Sequence, residues 1–280
     1  MDPIMQLDEH LIVIGDLRIS YCCAGPIDKT VVFIHGNSSC KAAFRYQYPD
    51  LLSAGYGVLA LDLPGHGESS DSPDPDNDYT IPAYADLVRL LCEENGVMGP
   101  ALLGWSLGGH VALQLAGNSL DIAGLALCGT PPISPGTDDA KHAFLKSEFS
   151  DVTGDAYPSW EKLESYITAV YGTMDHIPAQ LRLAGFRADG LSRSTMIKHW
   201  RTGTDLLDQR AIAQNWQKPI MMIHGTKDAF VSADFIRSVR LTDLHLKHPI
   251  KFIEDVGHAP FLENPVSFNE LLLGFCDTVF

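Results

Sequence analysis

A chain of 280 residues with 45% hydrophobic and 20% charged residues has ordinary globular composition and enough length for one α/β domain carrying an insertion. Its formal net charge of -15, with no cluster of Lys or Arg to offset it, argues against nucleic acid and anionic membranes as partners. No apolar stretch is long enough to span a bilayer and the start, Met1 to Glu9, is acidic where a signal peptide is basic, so a soluble, cytoplasmic protein is expected.

Leu11 to Ile14 and Leu17 to Cys22 read as an antiparallel pair turned by Gly15-Asp16. Thr30 to Ile34 is a continuous β-branched run ending in His35-Gly36-Asn37. Val58 to Leu61 is a second, ending in Asp62-Leu63-Pro64-Gly65-His66-Gly67. Uninterrupted apolar strands imply a sheet covered on both faces. The stretch Asp71 to Asp78 carries four aspartates and reads as a solvated loop, since no supporting His or Gly pattern marks a metal site. Ala85, Val88, Leu91 and Cys92 return at helical spacing within Ile81 to Asn95, and Gly96 supplies the stop. Strands at Ala101 to Leu103, Leu125 to Cys128, Ile220 to Ile223 and Ile250 to Ile253 complete a β/α alternation. The expected architecture is a mostly parallel, doubly wound sheet of about eight strands.

Between Thr130 and Ala213 the alternation stops. Trp160, Leu163, Ile167 and Val170 recur on one helical face, and Leu181 to Phe186 and Met196 to Trp200 suggest further helices. The chain thus divides into a core, residues 1–130 and 213–280, and a helical insertion over 131–212 that leaves a strand's C-terminal end. Open α/β sheets bind ligands beyond that edge, so the insertion is expected to roof a pocket. Cys22, Cys23, Cys40, Cys92, Cys128 and Cys276 form no C-x-x-C pair and read as free thiols.

Gly104-Trp105-Ser106-Leu107-Gly108-Gly109 follows a strand and opens a helix, the context a G-x-S-x-G nucleophile elbow requires. The turn exposes the Ser106 hydroxyl, and the helix starting at Leu107 directs unpaired N–H groups toward whatever Ser106 attacks. A serine needs a base, and the base a carboxylate that fixes its tautomer. On this chemistry both lie after the nucleophile at strand ends, acid before histidine. Among eleven histidines only His258 meets that order, and Asp228, just beyond Ile220 to Ile223, is the matching acid, ahead of Asp255 and Glu254. The second oxyanion donor belongs to the loop after Thr30 to Ile34, where Gly36 permits close approach and Asn37 offers its N–H opposite that of Leu107.

His35-Gly36, Asp62-x-Pro64-Gly65-His66-Gly67-x-Ser69, Gly104-x-Ser106-x-Gly108-Gly109, Asp228 and Gly257-His258 together resemble the α/β-hydrolase superfamily across nearly the whole chain outside the insertion. The longer matches His35-Gly36-Asn37-Ser38-Ser39, Gly104 to His110, Gly129-Thr130-Pro131-Pro132 and Gly257 to Phe261 are similar to the metal-independent N-acyl-homoserine lactonases of this fold. The resemblance implies a lactone-opening serine hydrolase with no cofactor and a small neutral acyl lactone or ester as its partner. Those lactonases carry Glu as the acid, where this chain matches with the shorter Asp228. Asn37, Trp105 and Tyr166 are the implied substrate contacts, although Tyr166 equally fits the pattern of an amphipathic core residue. A carboxylesterase acting on another neutral ester would use the same machinery. Haloalkane dehalogenation needs a carboxylate at the elbow, and a zinc lactonase an H-x-H or H-E-x-x-H cluster. The chain has neither.

Overall fold

The five residues of β3 (Thr30–Ile34) are all buried, and the two-residue period of a strand sends them alternately to two cores. Val31 and Phe33 pack with Val58, Ala60 and Leu103 on one face of the sheet, while Val32 and Ile34 pack with Leu59, Leu61 and Leu102 on the other. The computed structural model describes residues 7–118, 121–147, 149, 151–202, 206–241 and 244–280. Residues 1–6 of the acidic start lie outside that description.

Eight strands form one sheet: β1 (Glu9–Ile14), β2 (Leu17–Ala24), β3, β4 (Gly57–Leu61), β5 (Ala101–Trp105), β6 (Gly124–Cys128), β7 (Ile220–Gly225) and β8 (Ile250–Ile253). Their spatial order is β1-β2-β4-β3-β5-β6-β7-β8. β1 and β2 pair antiparallel, as do β2 and β4, and every pairing from β4 to β8 is parallel. On the Val32 face lie α3 (Ile81–Glu94), α4 (Leu107–Gly117) and α10 (Ala233–Ser238), and on the Val31 face α1 (Tyr48–Ser53), α11 (Pro260–Glu263) and α12 (Pro265–Val279). The Thr80 hydroxyl caps α3 by accepting from Ala83 N at 3.2 Å, and its stripe from Ile81 to Cys92 is buried. Truncating Leu91 there to Ala would cost roughly 2–5 kcal/mol.

Between β6 and β7 the described residues hold helices and no strand: α5 (Asp139–Ala143), α6 (Trp160–Val170), α7 (Ala179–Arg187), α8 (Gly190–Thr202) and α9 (Gln209–Asn215). Two expectations need correcting. Trp160, read as part of the buried stripe of α6, is 65% exposed; as the helix's first residue it turns outward and stacks on Phe186 at 3.8 Å, while Leu163, Tyr166, Ile167 and Val170 face inward. The Asp71 to Asp78 stretch is not simply a solvated loop either, because Pro75 nucleates α2 (Pro75–Asp78) and its acids meet the insertion. Arg187 pairs with Asp71 at 2.8 Å, Lys198 with Asp76 at 3.0 Å, and Tyr79 donates to Asp189 at 2.7 Å. The two ion pairs are exposed and hold little energy; the tyrosine bond joins a fully buried ring.

Candidate active site

At the end of β5 the chain reverses into α4, and Ser106 occupies the corner with φ 53° and ψ -115°, a conformation strained for a residue with a side chain. Close approach makes the elbow possible. A Cβ on Gly108 would lie 2.0 Å from the carbonyl oxygen of Ile34, and one on Gly104 would lie 2.3 Å from that of Gly108. The carbonyl of Cys128 accepts from Ser106 N at 2.9 Å and fixes the corner to β6.

Ring and carboxylate are held from several sides. Asp228 Oδ1 accepts from the backbone N–H of Phe230 at 2.8 Å and Val231 at 3.0 Å, and Oδ2 accepts from His258 Nδ1 at 2.7 Å. Because a carboxylate only accepts, Nδ1 carries the imidazole proton and Nε2 is left as the acceptor. Burial alone would raise the Asp228 carboxyl, yet His258, then His224 and the Phe230 N–H, outweigh it and hold it below the usual carboxylate range. Trp105 Nε1 donates to the His258 carbonyl at 2.8 Å. Glu263 accepts from Gly257 N at 2.7 Å and Ala259 N at 3.0 Å, bracketing the loop that carries His258.

Opposite the elbow, the loop after β3 comes so near that a Cβ on Gly36 would stand 3.2 Å from Ser106 Cβ. Asn37 Nδ2 donates to the Thr153 carbonyl at 3.2 Å, tying this loop to the insertion. Its neighbour Ser38 accepts from the buried Arg193 at 3.3 Å. A buried ion pair, Lys41 Nζ to Asp62 Oδ2 at 2.9 Å, anchors the far end, with Asp62 Oδ1 accepting from Lys41 N at 2.6 Å. Burial would lower the Lys41 ammonium, but Asp62 raises it overall.

Ser106, His258, Asn37, Leu107 and Tyr166 line one cavity of about 630 Å³, whose remaining wall is mainly apolar, from Ile81 to Phe144, Met196 and Leu206. Asp228 lies behind His258, where its contact requires it. Trp105, expected at the substrate, is instead fully buried behind the His258 loop against Phe261 and is absent from the cavity wall. Trp105 continues the alternation of β5, on the same face as Ala101 and Leu103, so its side chain packs into the core on the Val31 face. Tyr166 is 4% exposed, packs against Phe230 and forms part of the cavity wall. Glu263, Arg193 and the Lys41 to Asp62 pair were not singled out from sequence; only Asp62 carried a signal, standing in the Asp62-x-Pro64-Gly65 stretch. The cysteines are free. Among the described residues no group of three or more His, Cys, Asp or Glu could hold a metal, and no helix is long and apolar enough to cross a membrane.

A doubly wound sheet with a serine elbow, followed by an acid and a histidine at later strand ends, defines an α/β serine hydrolase architecture. The chain belongs to the alpha/beta hydrolase family, whose sequence signature matches residues 31–271. It is 30% identical over 258 residues to the biotin biosynthesis bifunctional protein BioHC of Teredinibacter turnerae, covering 86% of this chain and 43% of that protein. It spans 58% of protein ABHD8 of Bos taurus, and so about half the length of the first curated relatives it matches. A pimeloyl-(acyl-carrier protein) methyl ester esterase of Neisseria meningitidis serogroup C is 30% identical over 270 residues, 90% of this chain and 94% of the esterase. Two solved structures of N-acyl homoserine lactonase AidH align throughout. A serine-to-glycine variant complexed with N-hexanoyl homoserine lactone has a TM-score of 0.89 and 30% identity, covering 98% of this chain and 100% of that one. The complex with N-butanoyl homoserine has a TM-score of 0.88 and 31% identity, covering 96% of each. Fold, family and the esterase and lactonase relatives together support an ester-acting hydrolase.

Proposed function

We propose that this chain opens the lactone ring of N-acyl-homoserine lactones through a Ser106, His258 and Asp228 acyl-enzyme mechanism, an activity that would quench acyl-lactone signals. His258 Nε2 takes the Ser106 proton as Oγ bonds to the lactone carbonyl carbon, and Asp228 stabilises the imidazolium. The backbone N–H groups of Asn37 and Leu107 receive the oxyanion, each worth roughly 3–4 kcal/mol in such holes. Collapse breaks the ring C–O bond, and His258 protonates the departing alkoxide, which stays attached as the homoserine hydroxyl. Water, deprotonated by His258, then attacks the acyl-enzyme, releasing N-acyl-homoserine and restoring Ser106. In this reading Tyr166 and the Asn37 side chain orient the substrate, and residues 131–212 cap the site.

The observation that carries the reading is that Ser106 and the Asp228-held His258 open on one largely apolar cavity of about 630 Å³, large enough for an acyl chain and a lactone. Likeness to the lactonase along 98% of this chain favours a lactone. The Neisseria esterase, similar over 90% of the chain, supports a second reading, a carboxylesterase for another small ester. Mass spectrometry after incubation with N-hexanoyl homoserine lactone tests the first. The expected product gains one water with its amide intact, and Ser106→Ala lowers the rate at least about a thousandfold. Turnover of simple esters with the lactone untouched would select the esterase; a loss under tenfold in Ser106→Ala would refute the serine mechanism.

A further inference from the structure

One turn of α4 beyond the elbow stands a polar group that the mechanism leaves unused. His110 N donates to the Ser106 carbonyl at 3.4 Å, placing the residue about 6 Å along the helix axis from the nucleophile. Its ring is 5% exposed and lines the cavity among apolar neighbours, with Trp200 at 5.2 Å and Phe144 at 6.3 Å between ring centres. His110 Nδ1 meets Gln209 Oε1 at 2.7 Å. The amide oxygen only accepts, so Nδ1 carries the proton and Nε2 is a bare acceptor. Burial lowers the ring to about 4, so it is neutral at pH 7.

Two neighbouring donors also have no partner among the described residues: Gln209 Nε2, on a fully buried side chain, and Trp200 Nε1, itself a buried atom on a cavity-lining residue. Unpaired buried polar atoms are costly unless something satisfies them. An acceptor on His110 and an unfilled donor on Trp200 in an apolar wall, with Gln209 buried behind His110, suit one substituent above others. A hydroxyl can donate and accept at once, whereas a carbonyl only accepts and a methylene does neither.

Building on the Ser106 reading above, we infer that His110 and Trp200, with Gln209 holding the His110 tautomer from behind, form a specificity station for substrates bearing a hydroxyl about five bonds from the scissile carbonyl. Five bonds span about 6 Å, since three backbone bonds span 3.8 Å, which matches one helical turn. On an N-acyl-homoserine lactone this position is the third carbon of the acyl group. On a simple ester it is the sixth.

Calorimetry on Ser106→Ala protein separates this inference from the catalytic one, because binding is read without turnover. The ligand pairs are N-(3-hydroxyhexanoyl)- against N-hexanoyl-homoserine lactone, and methyl 6-hydroxyhexanoate against methyl hexanoate. The hydroxylated member of at least one pair is expected to bind three- to tenfold more tightly, the range of a single buried hydrogen bond. In Ser106→Ala/His110→Phe that ratio falls to about one, and Ser106→Ala/His110→Asn, which retains an acceptor, keeps part of it. Should the Phe variant not fold, Ser106→Ala/Gln209→Met takes its place and is expected to lower the same ratio by freeing the His110 tautomer. Equal affinities within both pairs, no binding of any ligand, or a ratio unmoved by the folded His110 or Gln209 variant would overturn the station. A preserved ratio alongside wild-type protein that fails to hydrolyse lactones would sustain the station and refute the lactonase reading.

Discussion

Replacing Asp228 by Asn keeps the shape of the side chain and removes its charge, which isolates the electrostatic part of the proposed mechanism. In the resting site the carboxylate and His258 Nδ1 stand 2.7 Å apart, with the Asp228 side chain 1% exposed. At an effective dielectric of about 20, unit charges at that separation attract by about 6 kcal/mol. The imidazolium exists only while His258 holds the serine proton, so this attraction lowers the barrier rather than the ground state. At 1.36 kcal/mol per decade the ceiling is about four decades of kcat. The amide also offers an N–H2 where two backbone donors or the His258 N–H must be accepted, which disturbs the tautomer in the same direction. A loss of 10³ to 10⁴ in kcat is expected, with KM little changed, from initial rates on an N-acyl lactone or a p-nitrophenyl ester. Thermal melting checks that the variant is folded. A folded Asp228→Asn protein losing less than tenfold would show that another group supports His258, and the reasoning would fail.

Acid should unfold this protein through buried histidines before its carboxylates titrate. Burial lowers His35 to about 4 and His66 to about 3, both from 6.5. Lowered folded values mean the unfolded chain takes up protons first, so stability is complete above pH 6.5 and is lost as pH falls below it. His35 alone loses about 2.5 kcal/mol by pH 4.5. Melting temperatures should therefore drop by on the order of 10 °C between pH 6.5 and 4.5; a flat profile would contradict the neutral, buried state of these rings. Arg193→Ala leaves Ser38 and the Asp155 carbonyl without their buried donor, at roughly 1–3 kcal/mol each. Loosening of the Asn37 loop should appear as a raised KM together with a lower melting temperature, and a change in neither would show that Arg193 does not hold that loop. Gly108→Ala forces a Cβ to 2.0 Å from the Ile34 carbonyl, so soluble, fully active protein from that variant would disprove the packing described at the elbow.

What was legible in the chain is what local spacing encodes. The inner strands β3 to β7 announced themselves because each is buried on both faces, and the elbow because its glycines and its serine lie within six residues. The partners that steady the site come from distant segments whose meeting depends on how elements cross. Glu263 braces the His258 loop and also accepts from Thr173 N at 2.9 Å, 90 residues away. His110 meets Gln209 across 99 residues, and Lys41 meets Asp62 across 21. No periodicity links such pairs. Trp160 misled because helical spacing fixes a face but not how far that face remains covered at the helix's first turn.

The acid is an instructive intermediate case, since its choice of Asp over Glu has a local explanation that the chain order alone did not supply. Asp228 Oδ1 accepts from the N–H groups two and three residues ahead, the short-range turn that Asp side chains favour. One carboxylate oxygen thereby shapes the loop while the other holds His258. A Glu at this position carries one more methylene and cannot satisfy both oxygens without moving the loop or the ring. Asp228→Glu should consequently keep the charge and lose its placement, giving a tenfold to hundredfold loss in kcat, between wild type and Asp228→Asn, together with a lower melting temperature from the two unmatched loop donors. A Glu variant equal to wild type in both rate and melting temperature would show that the turn contributes nothing to the site, and that the shorter acid is incidental.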